Sequence, residues 1–333
     1  MATQHIYLKV VRRRLRLLTV CLAVAAAAGF TAPMVDAGDI LVGTGSEGGF
    51  SNFVGRAICR ILNRSLPDMN ARAIPAETRT YNLTNLNGGS LDLALVDLRQ
   101  LHDAKKRLGQ FAFLDIRYDN VGVLFPLYQQ PILLIVRADA GINTLADLKG
   151  KRINAGVARS ETREAVEAIF AAKGWTRSDF QVVQALPASQ GQESMAFCHG
   201  SIEAMVHVGV HPDSALEQLI NLCGAVPVDM RDDDMLRWID SHPVFSMSTL
   251  AAGTYPGLDK PVTGFGTTIL LAASGSLDEE TTLAILAALE RNQANLKSIH
   301  PSLDQLSVKA WRGSELGIDL HPGAVAYFSA QGN

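Results

Sequence analysis

Between Ile40 and Gly55 the chain runs from a short apolar strand into Gly43-Thr44-Gly45-Ser46-Glu47-Gly48, and then into a helix carrying Phe53, Ile58, Ile61 and Leu62. Glycines let a backbone approach a ligand closely, and a helix N-terminus presents free N–H groups to it. The spacing fits the dinucleotide fingerprint literally, with an acid, Glu77, just past the next strand. A second group lies at Ser160, Thr162 and Arg163, where hydroxyls, backbone N–H groups and a guanidinium gather at the start of a predicted helix. That chemistry suits a carboxylate, and the helix dipole alone contributes roughly 0.3–1 kcal/mol. Ser160 reads equally well as a simple N-cap, and Arg163 as half of a surface ion pair. Four loops should face one site, each at the C-terminal end of a strand. They are Thr44 to Ser51, Glu77 to Asn82 (with Thr78 and Arg79), Asp97, and Val157 to Arg163. Tyr128 precedes a central strand, where an aromatic ring can line a cleft or pack.

Other chemistries are weaker. His207 and His211 have i, i+4 spacing, which joins two imidazoles on a helix. Gly209 and Pro212 make that segment strand and loop, so no metal site is expected. Ser46 and the histidines invite a hydrolase reading, but neither Gly-x-Ser-x-Gly nor His-Glu-x-x-His occurs. Asp232-Asp233-Asp234 reads as a solvated helix N-terminus. No cofactor and no catalytic residue are implied.

The compartment narrows these choices. Residues 1–37 have the form of a secretory leader: Arg12, Arg13, Arg14 and Arg16, an apolar run from Leu17 to Ala28, and a cleavage site after Ala37. The run is too short to span a bilayer comfortably, so the mature protein is expected in the periplasm, away from a pool of dinucleotide. Losing the leader's five basic residues and one acid takes the net charge from −3 to −7, which disfavours nucleic acid as a partner. Cys198 and Cys223 flank an apolar strand, and in an oxidising compartment they are expected to bond. Cys59 falls on the inner face of the first helix and reads as a buried thiol.

The elements that must position these groups alternate. Strands are predicted at 39–43, 71–76, 92–96, 121–125, 131–137, 152–156, 180–184, 203–208, 225–228 and 265–273. Helices are predicted at 50–64, 81–88, 98–107, 144–149, 161–173, 189–197, 212–221, 232–241 and 278–298. Val, Ile and Leu runs with few polar residues suit parallel strands covered on both faces, in an α/β fold. Thr144 with Asp147, and Ser276 with Glu279, have the capping-box pattern. The chemistry of the chain resets near 137–150 and 252–264. The expected organisation is therefore lobe I from 38–136, an inserted lobe II from 137–249, and a return to lobe I over 250–333.

Seven segments in order carry a family resemblance. They are Val42-Gly43-Thr44-Gly45, Leu91 to Val96, Leu145 to Arg152, Ser160 with Thr162-Arg163, Val208-Gly209 with His211-Pro212, Ala252 to Gly257, and Leu320-His321-Pro322-Gly323-Ala324. The chain resembles the TAXI-branch solute receptors of tripartite ATP-independent periplasmic (TRAP) transporters over essentially all of 39–333. The resemblance implies a type II periplasmic binding protein fold: two α/β lobes, a hinge, and a ligand cleft between them. It implies capture of a small organic acid or amino acid and delivery to an integral-membrane TRAP permease. A receptor feeding a sensor kinase and, from a different class, a secreted hydrolase are the alternatives. The chain departs from the family at Glu47, where Thr is common, and at Ser51 and Asn52, where a Tyr pair is common. It departs again at Asp97, where Gln is common, and at Glu77 and Glu161, near which Gly is common. Glutamate is therefore not carried over as the ligand. The expected arrangement is a carboxylate held by Arg163, Ser160 and Thr162, with Asp97 and Glu47 reading an ammonium or hydroxyl at the other end.

Overall fold

The computed structural model describes residues 38–76, 78–188, 191–308 and 318–332. The leader and Glu77 lie outside the described residues. Ten strands form one sheet: β1 (Gly38–Gly43), β2 (Met69–Ile74), β3 (Leu93–Asp97), β4 (Val121–Arg137), β5 (Arg152–Asn154), β6 (Val182–Gln184), β7 (Ala204–Val208), β8 (Ala225–Val228), β9 (Ser246–Leu250) and β10 (Val262–Ser274). The order is β2-β1-β3-β10-β4-β7-β5-β6, with β8 also pairing β4 and β9 also pairing β10.

Two strands tie the sheet together. The sequence predicts two separate strands here, at 121–125 and 131–137. The structure instead holds one 17-residue strand, β4. It pairs antiparallel with β10 from Val121↔Ser274 to Ile132↔Phe265. Pro126 sits where the register shifts, between Ile269 and Leu270, so the missing donor falls at an irregularity. Close approach at the crossing requires glycine. A Cβ on Gly264 would lie 2.2 Å from the Ile132 carbonyl oxygen, and one on Gly266 would lie 2.4 Å from that of Gln130.

Each half of the sheet has its own apolar core on both faces, following the period-2 alternation of side chains. In the first half, Leu93, Leu95, Ile269 and Leu271 face one cluster, while Ala94, Val96, Leu270 and Ala272 face another. In the second half, Leu134 and Val136 join Val206 and Val228, while Leu133 and Ile135 join Met205 and Leu219. Burying one such side chain contributes about 1.5–3 kcal/mol.

The helices cover these faces: α1 (Phe50–Ser65), α2 (Arg79–Gly88), α3 (Leu98–Lys106), α4 (Glu161–Lys173), α5 (Gln192–Cys198), α6 (Ser214–Cys223), α7 (Asp233–Asp240), α8 (Glu279–Arg291), α9 (Gln293–Lys297) and α10 (Pro322–Ala330). The Thr144–Asp147 capping box forms, although the segment it starts is a single 3₁₀ turn, Leu145–Leu148. The box expected at Ser276 and Glu279 does not form. Asp278 caps α8 instead, accepting from the Thr281 N–H, because a carboxylate at that position reaches the free donor directly. The predicted single helix over 278–298 divides at Asn292. The Cys198–Cys223 disulfide is present with Cα atoms 4.9 Å apart, and Cys59 is a buried thiol. Burial pushes that thiol up to about 11. No helix among the described residues is long and apolar enough to cross a membrane.

Candidate ligand-binding site

The glycine loop is built around Thr44. Its side chain is buried and donates weakly toward Ile74 O (3.2 Å), while Asn52 Nδ2 donates to its Oγ1 (2.8 Å). Asn82 is also buried and donates through Nδ2 to Thr44 O (2.9 Å) and Leu95 O (3.2 Å). Thr44 and Asn82 thus come together as braces of the loop. Ser46 and Glu47 are exposed at its tip. Ser51 lies one turn on, 2.8 Å from the Tyr128 hydroxyl, and Phe50 meets the Tyr128 ring edge-on at 5.0 Å. Thr78 caps α2 by accepting from the Tyr81 N–H (3.3 Å). The Arg79 side chain lies outside the described residues.

The second predicted group is equally organised by its helix. Ser160 caps α4: its hydroxyl accepts from the Arg163 N–H (3.1 Å) and donates to Val157 O (2.8 Å). Thr162 is buried, and Arg163 Nη2 donates to Gly156 O (2.7 Å). Gly156 has a positive φ of 69°, and a Cβ there would strike Ser160, Thr162 and the Arg163 nitrogen within 2.9 Å. The tight turn into α4 therefore needs glycine.

Between the halves, Asp97 caps α3 by accepting from the N–H groups of Arg99 (2.8 Å) and Gln100 (3.2 Å) and from the Thr267 hydroxyl (3.2 Å). Arg99 reaches across from α3 to Glu164 on α4 and also holds Asp103. Gln130, in the middle of β4, donates to Glu161 (2.9 Å). This polar knot spans the crossing of β4 and β10. Burial, with Asp97, Glu161 and Asp103 nearby, pushes the Glu164 carboxyl up to about 7 despite Arg99. Burial opposes the charge on Arg99, yet the surrounding carboxylates hold its pKa above the ordinary guanidinium value.

Two larger cavities flank the knot. One, of about 760 Å³, is lined by Tyr128, Gln129, Thr268, His211, Ser248, Thr254 and the Pro301–Gln305 segment. Its walls carry hydroxyls and amides. The other, of about 670 Å³, is lined by Arg99, Arg159, Arg163, Arg177, Glu164, Glu167, Trp238 and Phe245 among others. It shares Arg99, Glu164 and Phe245 with the small central cavity that Asp97, Gln130, Glu161 and Thr267 also line. Tyr128, Asp97 and Arg163 therefore border three different cavities. Sequence reasoning missed Arg99, Gln130, Arg177 and Trp238 as site residues. Arg99 had a signal, standing two residues after the capping Asp97. Arg177 and Trp238 had none, because other elements bring them to α4.

The histidine pair corrects its expectation. The His207 and His211 rings lie 5.3 Å apart without a helix, where the chain bends at Gly209 just after β7. His211 Nδ1 bonds the Tyr255 hydroxyl (2.7 Å), and that oxygen accepts from the Asp213 N–H (2.7 Å). Burial, with His207 alongside, pulls His211 down to about 3, so both rings stay neutral at ordinary pH. No cluster of three or more metal-ligating side chains occurs among the described residues. Asp232 and Asp234 are tied to α4 through Lys173 (2.7 and 2.5 Å) as well as opening α7.

Residues 42–332 match the NMT1-like family, and the chain belongs to it. Among solved structures, the chain is similar to a TctC solute binding protein from Polaromonas, at 16% identity and a TM-score of 0.51, over 87% of this chain and 96% of that one. It is also similar to PhnD1 from Prochlorococcus marinus in complex with methylphosphonate, at 12% identity and a TM-score of 0.49, over 80% and 90%. A third is the periplasmic aliphatic sulphonate binding protein SsuA from Escherichia coli, at 14% identity and a TM-score of 0.48, over 87% and 78%. At 16% identity the Polaromonas match speaks to the fold alone, a mixed α/β fold like that of type II periplasmic binding proteins.

Proposed function

We propose that the protein is a non-enzymatic, periplasmic solute receptor of the TAXI type that hands a small organic acid or amino acid to a TRAP permease. The observation that carries the reading is the pair of long strands, β4 and β10, that alone of the ten serve both cored halves, with polar cavities where the halves meet. We take the halves to be lobes that hinge where Gln129–Pro131 passes Gly264–Thr268, ahead of the expected boundary at 137 and well past the one at 250. A solute bound between them gains from closure, because excluding water strengthens each charge-assisted hydrogen bond. Micromolar affinity needs only about 8 kcal/mol in total. We assign Arg163 to the anionic end of the solute. Asp97 and Glu161, which border the adjoining central cavity, are assigned to an ammonium or hydroxyl in place of the expected Asp97–Glu47 pair, because Glu47 is exposed at the loop tip.

The test is a thermal-shift panel of carboxylates, hydroxy acids and amino acids, followed by calorimetry and small-angle scattering on any hit. A ligand at about 100 times its Kd stabilises by about 2.7 kcal/mol, an easily read shift. The reading predicts such a shift together with a smaller radius of gyration. Turnover of the hit would point to the hydrolase alternative, and a ligand that binds without compaction would remove the hinge.

A further inference from the structure

We infer that the cleft between α3, α4 and α7 takes a monoanion with a flat, apolar body, an aromatic carboxylate or sulfonate, in preference to an aliphatic dicarboxylate. The inference rests on the receptor reading above and names the class of solute.

The first observation is charge. Arg159, Arg163 and Arg177 all line the cleft, and none forms an ion pair among the described residues. Arg163 and Arg177 donate only to backbone carbonyls, at Gly156 and Val183. Arg159 has a φ of 64°, a conformation that side-chain-bearing residues seldom adopt, in the loop that leads into α4. Of the acids on the same wall, Asp103 and Glu164 are engaged by Arg99, which leaves Glu167 as the one carboxylate opposing three guanidinium groups. Planar guanidinium forks match the two oxygens of a carboxylate or sulfonate.

The second observation is the aromatic lining. Trp238 and Phe245 line the same cavity with ring centroids 5.0 Å apart, and His242 stacks on Trp238 at 4.1 Å. Small side chains, Ala168 and Ala171, complete the α4 side. A cavity lined by both arginines and aromatic rings favours an anionic head on a flat body. The inner end excludes a second anion: Asp97, Glu161 and Glu164 border the adjoining cavity around Arg99.

Calorimetry with phenylacetate and benzenesulfonate, against acetate and succinate, tests this. The wild type is expected to bind both aromatic anions at least about tenfold more tightly than acetate or succinate. Arg159→Gln with Arg177→Gln, both at exposed positions, is expected to weaken the aromatic anions about tenfold or more. Trp238→Leu is expected to weaken phenylacetate several-fold while leaving acetate unchanged. Far-ultraviolet dichroism confirms that each variant is folded. Phenylacetate binding no tighter than acetate, or full affinity in the double arginine variant, would overturn the inference. Succinate or glutamate binding without phenylacetate would overturn it and leave the receptor reading standing. If no organic acid or amino acid binds at all, both fall.

Discussion

Removing the Cys198–Cys223 bond gives the sharpest stability test. The cysteines are 25 residues apart and end α5 and α6, whose apolar faces share a cluster with Leu133, Ile135 and Met205. In the chain-entropy relation, a loop of 25 residues corresponds to about 3.5 kcal/mol of stability. With a urea m-value of roughly 3 kcal/mol/M for a chain of this size, Cys198→Ser with Cys223→Ser is expected to lower the midpoint by about 1 M. Thiol titration of the unreduced, unfolded mature protein is expected to find Cys59 alone. Ligand affinity well below the midpoint should be unchanged, because neither cysteine lines a cavity flanking the crossing strands. Three titratable thiols, or a double variant as stable as the parent, would refute the reasoning and the oxidising compartment with it.

Gly264→Ala should destabilise by about 1–3 kcal/mol, because its Cβ would lie 2.2 Å from Ile132 O and force β4 and β10 apart; urea melts read this, and an unchanged midpoint would contradict the close crossing. The Glu164 carboxyl is raised from 4.5 to about 7, so in that window the folded chain binds more protons than the unfolded one. Stability should therefore fall as pH rises from about 4.5 through 7, and Glu164→Gln should flatten that slope in pH-dependent urea melts. Asp97→Asn keeps the volume but weakens the cap that accepts from Arg99, Gln100 and Thr267, and should cost about 1 kcal/mol by the same assay. Asp97→Gln should also move ligand preference in calorimetry away from amino acids and toward dicarboxylates if this acid reads an ammonium.

Much of the fold was legible because its elements are strongly patterned. The helix predicted at 161–173 is α4 to the residue, since Ser160 caps it and Gly174 ends it with a left-handed φ. The sequence predicts two strands where the structure has β4, and Pro126 is tolerable because β4 carries an extra residue, Leu127, opposite the Ile269–Leu270 step. β9 (Ser-Met-Ser-Thr-Leu) is short and largely polar, and α10, started by His321 and Pro322, is apolar nearly all round and shows no helical period, so neither is predicted. The site was less legible, because capping and binding use the same residue types. Ser160, Thr78 and Asp97 all cap helices. The residues of the arginine cleft come from α3, α4, α7 and the loops beside them, a juxtaposition that no local spacing encodes.

The central claim is that a small acid or zwitterion is captured between the two halves. Native mass spectrometry of the protein purified from the periplasm, without an unfolding step, tests it most directly. The account predicts one small-molecule mass per chain that disappears on denaturation and, once identified as an organic or amino acid, restores the thermal shift when added back. A ligand-free mass, with no shift from any acid in the panel, would contradict it.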